Sequence, residues 1–144
     1  MQMRHRTAAL SLALLVLGPA VAALAADPAR DTILADLTAQ ARQADPAFAG
    51  FSAERGEALY RAKHGTGDPN VTACTSCHGD DPRTAGQNVK TGKTIEPMAV
   101  SANPKRYTNQ ADVAKWFRRN CKDVLDRECT PVEKGDFITF MSAR

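Results

Sequence analysis

Cys74-Thr75-Ser76-Cys77-His78 places two thiols three residues apart, with an imidazole directly after the second. Two thiols at that spacing reach the two vinyl groups on one edge of a porphyrin and form thioether bonds with them. The histidine that follows then lies beneath the ring, where its imidazole ligates iron. C-x-x-C alone would also suit a thiol oxidoreductase or half of a zinc site. The adjacent histidine argues against both. Asp80-Asp81-Pro82 follows where a redox-active pair would want a helix, and Cys121 and Cys129 stand at a spacing that matches no common zinc finger. The motif therefore predicts one covalently attached haem c, held by Cys74 and Cys77, with His78 as the proximal iron ligand.

The other axial position decides between an electron carrier and a ligand binder. Met98 follows Pro97, and Pro-Met is how many electron-transfer cytochromes present a thioether to iron. Yet it comes only twenty residues after His78, earlier than such methionines usually do, and packing against the porphyrin is the blander reading. His64 sits in a glycine-rich polar loop where a solvated histidine is expected, and Met141 reads as core. Asn120 continues the apolar face set by Val113, Trp116 and Phe117, four residues past the first aromatic and three past the second. An asparagine on a buried face needs partners or costs about 1–3 kcal/mol. It either ligates or hydrogen-bonds backbone near the helix end, and the residues alone leave both open.

Cys121 and Cys129, eight apart, most simply form a disulfide in an oxidising compartment. By the chain-entropy estimate so short a loop contributes about 2–3 kcal/mol. The bridge would fix the end of the segment that faces the haem.

An export leader supports that compartment. Arg4 and Arg6 precede an almost wholly apolar run from Leu10 to Leu24, and Ala23-Leu24-Ala25 is the small-residue pattern read by signal peptidase. Residues 1–25 are expected as a signal peptide and 26–144 as one monohaem cytochrome c domain. The run is broken by Gly18-Pro19 and falls short of the ~20 residues a bilayer span requires, so no membrane span is expected after cleavage. The expected location is the periplasm. Without Arg4 and Arg6 the 19 basic residues fall to 17 against 16 acidic ones, a net charge of about +1. That is no basic field of the kind nucleic-acid binding requires. Only 6% of the chain is aromatic, and small domains short of apolar bulk usually recruit a staple or a cofactor.

The elements that must position these residues read as helices. Ile33, Leu34, Leu37 and Ala41 give helical spacing over residues 31–44. Ser52 caps a second helix in which Gly56 is tolerable if another helix crosses closely. Residues 80–104 carry prolines and turn signals with little periodicity, and read as irregular structure wrapped around a cofactor. Asn109 caps a third helix whose apolar face is Val113, Trp116, Phe117, Val124 and Leu125. Thr130-Pro131-Val132-Glu133 is a capping box with proline at the first helical position, opening a last helix through Phe137, Ile138, Phe140 and Met141. The fold class is all-α, a class I cytochrome c-like monohaem domain with one disulfide, its N- and C-terminal helices crossing near the haem. No carboxylate pair or nucleophile triad is recognisable, so catalysis in the strict sense has no support.

Three further stretches, Thr91-Gly92-Lys93-Thr94-Ile95-Glu96-Pro97-Met98, Lys115-Trp116-Phe117-Arg118-Arg119-Asn120-Cys121 and Arg127-Glu128-Cys129-Thr130-Pro131, combine with the haem motif. Together the chain resembles the sphaeroides haem protein family of oxygen-binding c-type cytochromes, related to cytochrome c″. The resemblance covers roughly Phe51 to Met141. It implies that Asn120 is a distal ligand of ferric iron that leaves on reduction, opening a site for a diatomic gas, oxygen or nitric oxide. It also implies a Cys121–Cys129 bridge, and a dihaem cytochrome c and a membrane b-type cytochrome as electron donors. The place of Met98 holds leucine in those relatives, so permanent His78/Met98 ligation in a plain electron carrier stays as the alternative.

Overall fold

In a computed structural model that describes residues 27–65 and 68–144, the chain forms five helices and one short ribbon. The expected leader and its cleavage site lie outside the described residues. Helix α1 spans Pro28–Ala44, three residues longer at its start than the apolar spacing predicts. Its start is a local device: the Asp27 carboxylate accepts from the Ala29 N–H at 2.9 Å, and Pro28 needs no donor at the first position. Helix α2 spans Ala53–Arg61, capped by Ser52 as expected, and α3 is the single turn Thr75–His78. Helix α4 runs Gln110–Leu125 from its Asn109 cap, and α5 runs Pro131–Ser142 from a complete Thr130/Glu133 capping box.

Helix α5 organises the core, packing against α2 and α1. Ile33 and Leu37 of α1, Tyr60 of α2 and Phe137, Ile138, Phe140 and Met141 of α5 form one buried cluster. Gly56 is what lets α2 and α5 approach: a Cβ there would lie 2.1 Å from the Asp136 carbonyl oxygen. The same contact is sealed by polarity. The buried Asp136 carboxylate accepts from the Ser52 N–H at 2.7 Å and from Arg55 Nε and Nη2 at 2.7 and 2.8 Å. A buried carboxylate left without such donors would be strongly destabilising.

Residues 80–104 are less shapeless than their sequence suggests. Gly86–Gln87 (β1) pairs antiparallel with Thr94–Ile95 (β2), Gly86 opposite Ile95. Both strands are only two residues long, too short for an alternating pattern to register. Gly86 lies directly on the haem motif, where a Cβ would sit 2.2 Å from the Cys77 carbonyl oxygen. The ribbon thus braces α3 from outside.

Candidate haem and ligand site

The short helix α3 and the turn before it carry Cys74, Cys77 and His78 into one cleft of about 660 Å³, within the range of small-molecule and cofactor pockets. Asn120 and Met98 line it as well, with Phe117 and Phe137 supplying apolar wall. Phe117 meets Phe137 edge-on at 5.5 Å between ring centroids, which fixes α4 against α5 at the cleft.

Cys74 and Cys77 are not joined to each other, whereas Cys121 and Cys129 form a disulfide with Cα atoms 5.6 Å apart. Burial pushes the Cys74 thiol up to about 11, the reverse of what a thiol redox centre needs. Burial, with the positive Arg106 nearby, pushes the His78 imidazole down to about 4. It is therefore neutral near pH 7, the form that ligates metal. Its Nδ1 is buried without a hydrogen-bond partner among the described residues. Two free thiols, a neutral imidazole and an apolar-walled cleft fit a haem attached by thioethers.

Met98 and Asn120 reach the cleft by different routes. Met98 is buried, and its backbone N–H donates to the Pro82 carbonyl at 2.8 Å, four residues after His78. It is tied to the segment that bears His78. Asn120 comes from α4, half-buried, one residue before the disulfide. It lies inside the helix, which continues for five more residues and ends at Asp126 in a left-handed conformation (φ 57°). Asn120 is therefore no cap, and its side chain makes no hydrogen bond among the described residues. Trp116 departs from expectation: it lines the cleft but is 46% exposed, flanked by Lys115 and Arg119 at cation–π distances of 5.1 and 5.4 Å. His64 is half-buried, its N–H donating to the Thr72 carbonyl, and it does not line the cleft. Met141 is fully buried in the core, as the sequence indicates.

Three residues of the site escaped the sequence reading. Arg106 and Tyr107 line the cleft from an irregular segment, and Gly86 backs the haem motif. None belongs to a periodic element or a motif, so no local signal marks them.

Residues 46–141 match a family described as a domain of unknown function, DUF1924. The cytochrome c-type protein SHP of Cereibacter sphaeroides is 43% identical over 135 residues, spanning 94% of this chain and 97% of that protein. The chain belongs to the SHP family of c-type cytochromes. Cytochrome c″ of Methylophilus methylotrophus is 36% identical over 101 residues, 70% of each chain. The structure of oxidised SHP, described as an oxygen-binding cytochrome c, superposes with a TM-score of 0.72 at 42% identity, covering 80% of this chain and 96% of that one. The solution structure of cytochrome c″, solved to address haem-ligand detachment, superposes at 0.68 with 32% identity, covering 80% and 93%. The all-α cytochrome fold with its Cys121–Cys129 bridge is thus that of the SHP family. Among the described residues no helix is long and apolar enough to cross a membrane.

Proposed function

We propose that this SHP-family protein is a periplasmic cytochrome that accepts one electron, releases Asn120 from haem iron and binds a diatomic gas. A single haem c is held by thioethers from Cys74 and Cys77, with His78 as the permanent ligand. When bound, the iron supplies one-electron chemistry and an axial position. Asn120 carries the reading: it lines the cleft that holds His78, on a different element, with no side-chain hydrogen bond among the described residues. An amide oxygen is a hard, neutral, weak donor that tolerates ferric iron and suits ferrous iron poorly. Once released, the same amide has two N–H donors with which to hydrogen-bond oxygen or nitric oxide. Phe117 limits water at that position. A dihaem cytochrome c and a membrane b-type cytochrome are the electron donors the family resemblance implies.

A second reading has its own observation. Met98 is buried and lines the cleft, which would allow permanent His78/Met98 ligation in a plain electron carrier. Its tether to Pro82, on the His78 segment, supports a packing role instead. Optical spectra of the oxidised, dithionite-reduced and carbon monoxide-treated protein decide between the two. A high-spin reduced form that shifts with carbon monoxide is expected. A low-spin reduced spectrum indifferent to the gas would leave the electron carrier.

A further inference from the structure

The chain between Pro104 and Tyr107 is held by a buried guanidinium. Arg30 of α1, only 4% exposed, donates from Nη2 to the Pro104 carbonyl at 2.7 Å, and from Nε and Nη2 to the Arg106 carbonyl at 3.2 and 3.0 Å. Tyr107 is buried too, and its hydroxyl donates to the Met98 carbonyl at 3.0 Å. Pinned on both sides, Arg106 reaches across to the segment before Met98. Its Nε donates to the Pro97 carbonyl at 2.9 Å and its Nη2 to the Glu96 carbonyl at 2.6 Å. The side chain is half-buried and lines the same cleft as His78. Among the described residues it makes no ion pair with a carboxylate.

We propose that Arg106 is a fixed positive charge on the cleft wall that favours the reduced state of a haem ligated by His78, with Arg30 as the residue that positions it. The proposal rests on the reading that His78 ligates haem iron. Taking up one electron lowers the charge at the iron by one and moves no proton. A cation held nearby therefore stabilises the reduced form more than the oxidised form. Partial burial keeps salt from screening it away, and four backbone carbonyls, two receiving from Arg106 and two holding it through Arg30, keep it from swinging into solvent. A propionate meeting the guanidinium would change the size of the effect and not its sign. For a redox-triggered ligand switch the consequence is direct: a chain easier to reduce releases Asn120 with weaker electron donors.

The test uses the haem-loaded protein and its Arg106→Gln, Arg106→Met and Arg106→Lys variants. Haem content is measured as the pyridine haemochrome and folding by denaturant titration, and the reduction potential is then measured with small redox mediators. The two neutral variants, of different shape, are expected to shift the ferric–ferrous equilibrium about tenfold toward ferric, about 59 mV for one electron. Arg106→Lys keeps the charge but loses the planar fork, and is expected to stay within about twofold of the wild type. Unchanged potentials in the neutral variants overturn the proposal. Equal losses in the lysine and neutral variants also overturn it, because they assign the effect to the carbonyl hydrogen bonds. Arg30→Lys is expected to shift the potential in the same direction by a smaller amount, and a wild-type potential there removes its positioning role. A wild-type chain without a haemochrome would bring down the parent reading along with this one. A haem-loaded wild type with indifferent Arg106 variants brings down this one alone.

Discussion

Replacing both bridge cysteines, Cys121→Ala with Cys129→Ala, separates the stability of the fold from the control of the ligand site. The bridge closes a loop of sequence separation 8 between the last turns of α4 and the residue before the Thr130 cap of α5. For so short a loop the chain-entropy relation gives about 2.5 kcal/mol at 25 °C. Both cysteines are buried, at 6% exposure each, and alanine removes the sulfur without introducing a polar group. A domain of this size with a few kcal/mol to spare then melts about 10 °C lower. Asn120 directly precedes Cys121, so the end of α4 that carries it loses its covalent anchor. Carbon monoxide association with the reduced variant, followed by flash photolysis, is expected to accelerate several-fold. Denaturant titration of the same sample gives the stability change. An unaltered midpoint would refute the entropic account of the bridge. A lowered midpoint with unaltered gas kinetics would refute the coupling between bridge and ligand site.

Asn120→Ala should leave haem attachment intact and turn the ferric spectrum high-spin or water-ligated; an unchanged ferric spectrum would remove Asn120 as a ligand. Met98→Leu conserves volume in the core and should cost under about 1.5 kcal/mol with the same spectra in both redox states, whereas loss of a low-spin reduced form would make Met98 the ligand. Gly56→Ala gains about 1 kcal/mol in helix propensity but drives a Cβ to 2.1 Å from the Asp136 carbonyl. Net destabilisation of about 1–3 kcal/mol is expected, read from the denaturation midpoint, and a neutral result would mean α2 and α5 part easily. The Arg127 guanidinium, hydrogen-bonded to Glu133, holds that carboxyl below its usual 4.5. Its contribution is thus present above about pH 4.5 and is lost as pH falls through the lower folded value. Glu133→Gln should be less stable than the wild type at neutral pH and converge with it in acid, as followed by thermal melts across pH.

Several elements could be read from residues alone because their signals are local. The haem motif is five consecutive residues. The Ser52, Asn109 and Thr130 caps each bond a backbone N–H three residues on, so a short window contains both partners. Gly56 could be flagged as a close-approach position, although not the Asp136 carbonyl it makes room for. The last turn of α4 was harder. Its apolar spacing runs on through Val124 and Leu125, where the helix ends, with Val124 buried, but the left-handed Asp126 that stops it carries no signal in the residues around it.

By itself the sequence determined the helical scaffold, and it supplied the residues of the proposed haem attachment and the candidates for the second axial position. These follow from side-chain type and from spacings of a few residues. Only the tertiary structure decided which of those candidates share a cleft and how each gets there. Met98 is tied to the His78 segment through Pro82, and Asn120 arrives mid-helix on α4. Arg106, 28 residues beyond His78, lines the same cleft, with its carbonyl held by Arg30 from the far end of the chain. Such a placement depends on hydrogen bonds between segments some 75 residues apart, and no local pattern encodes a partner at that distance.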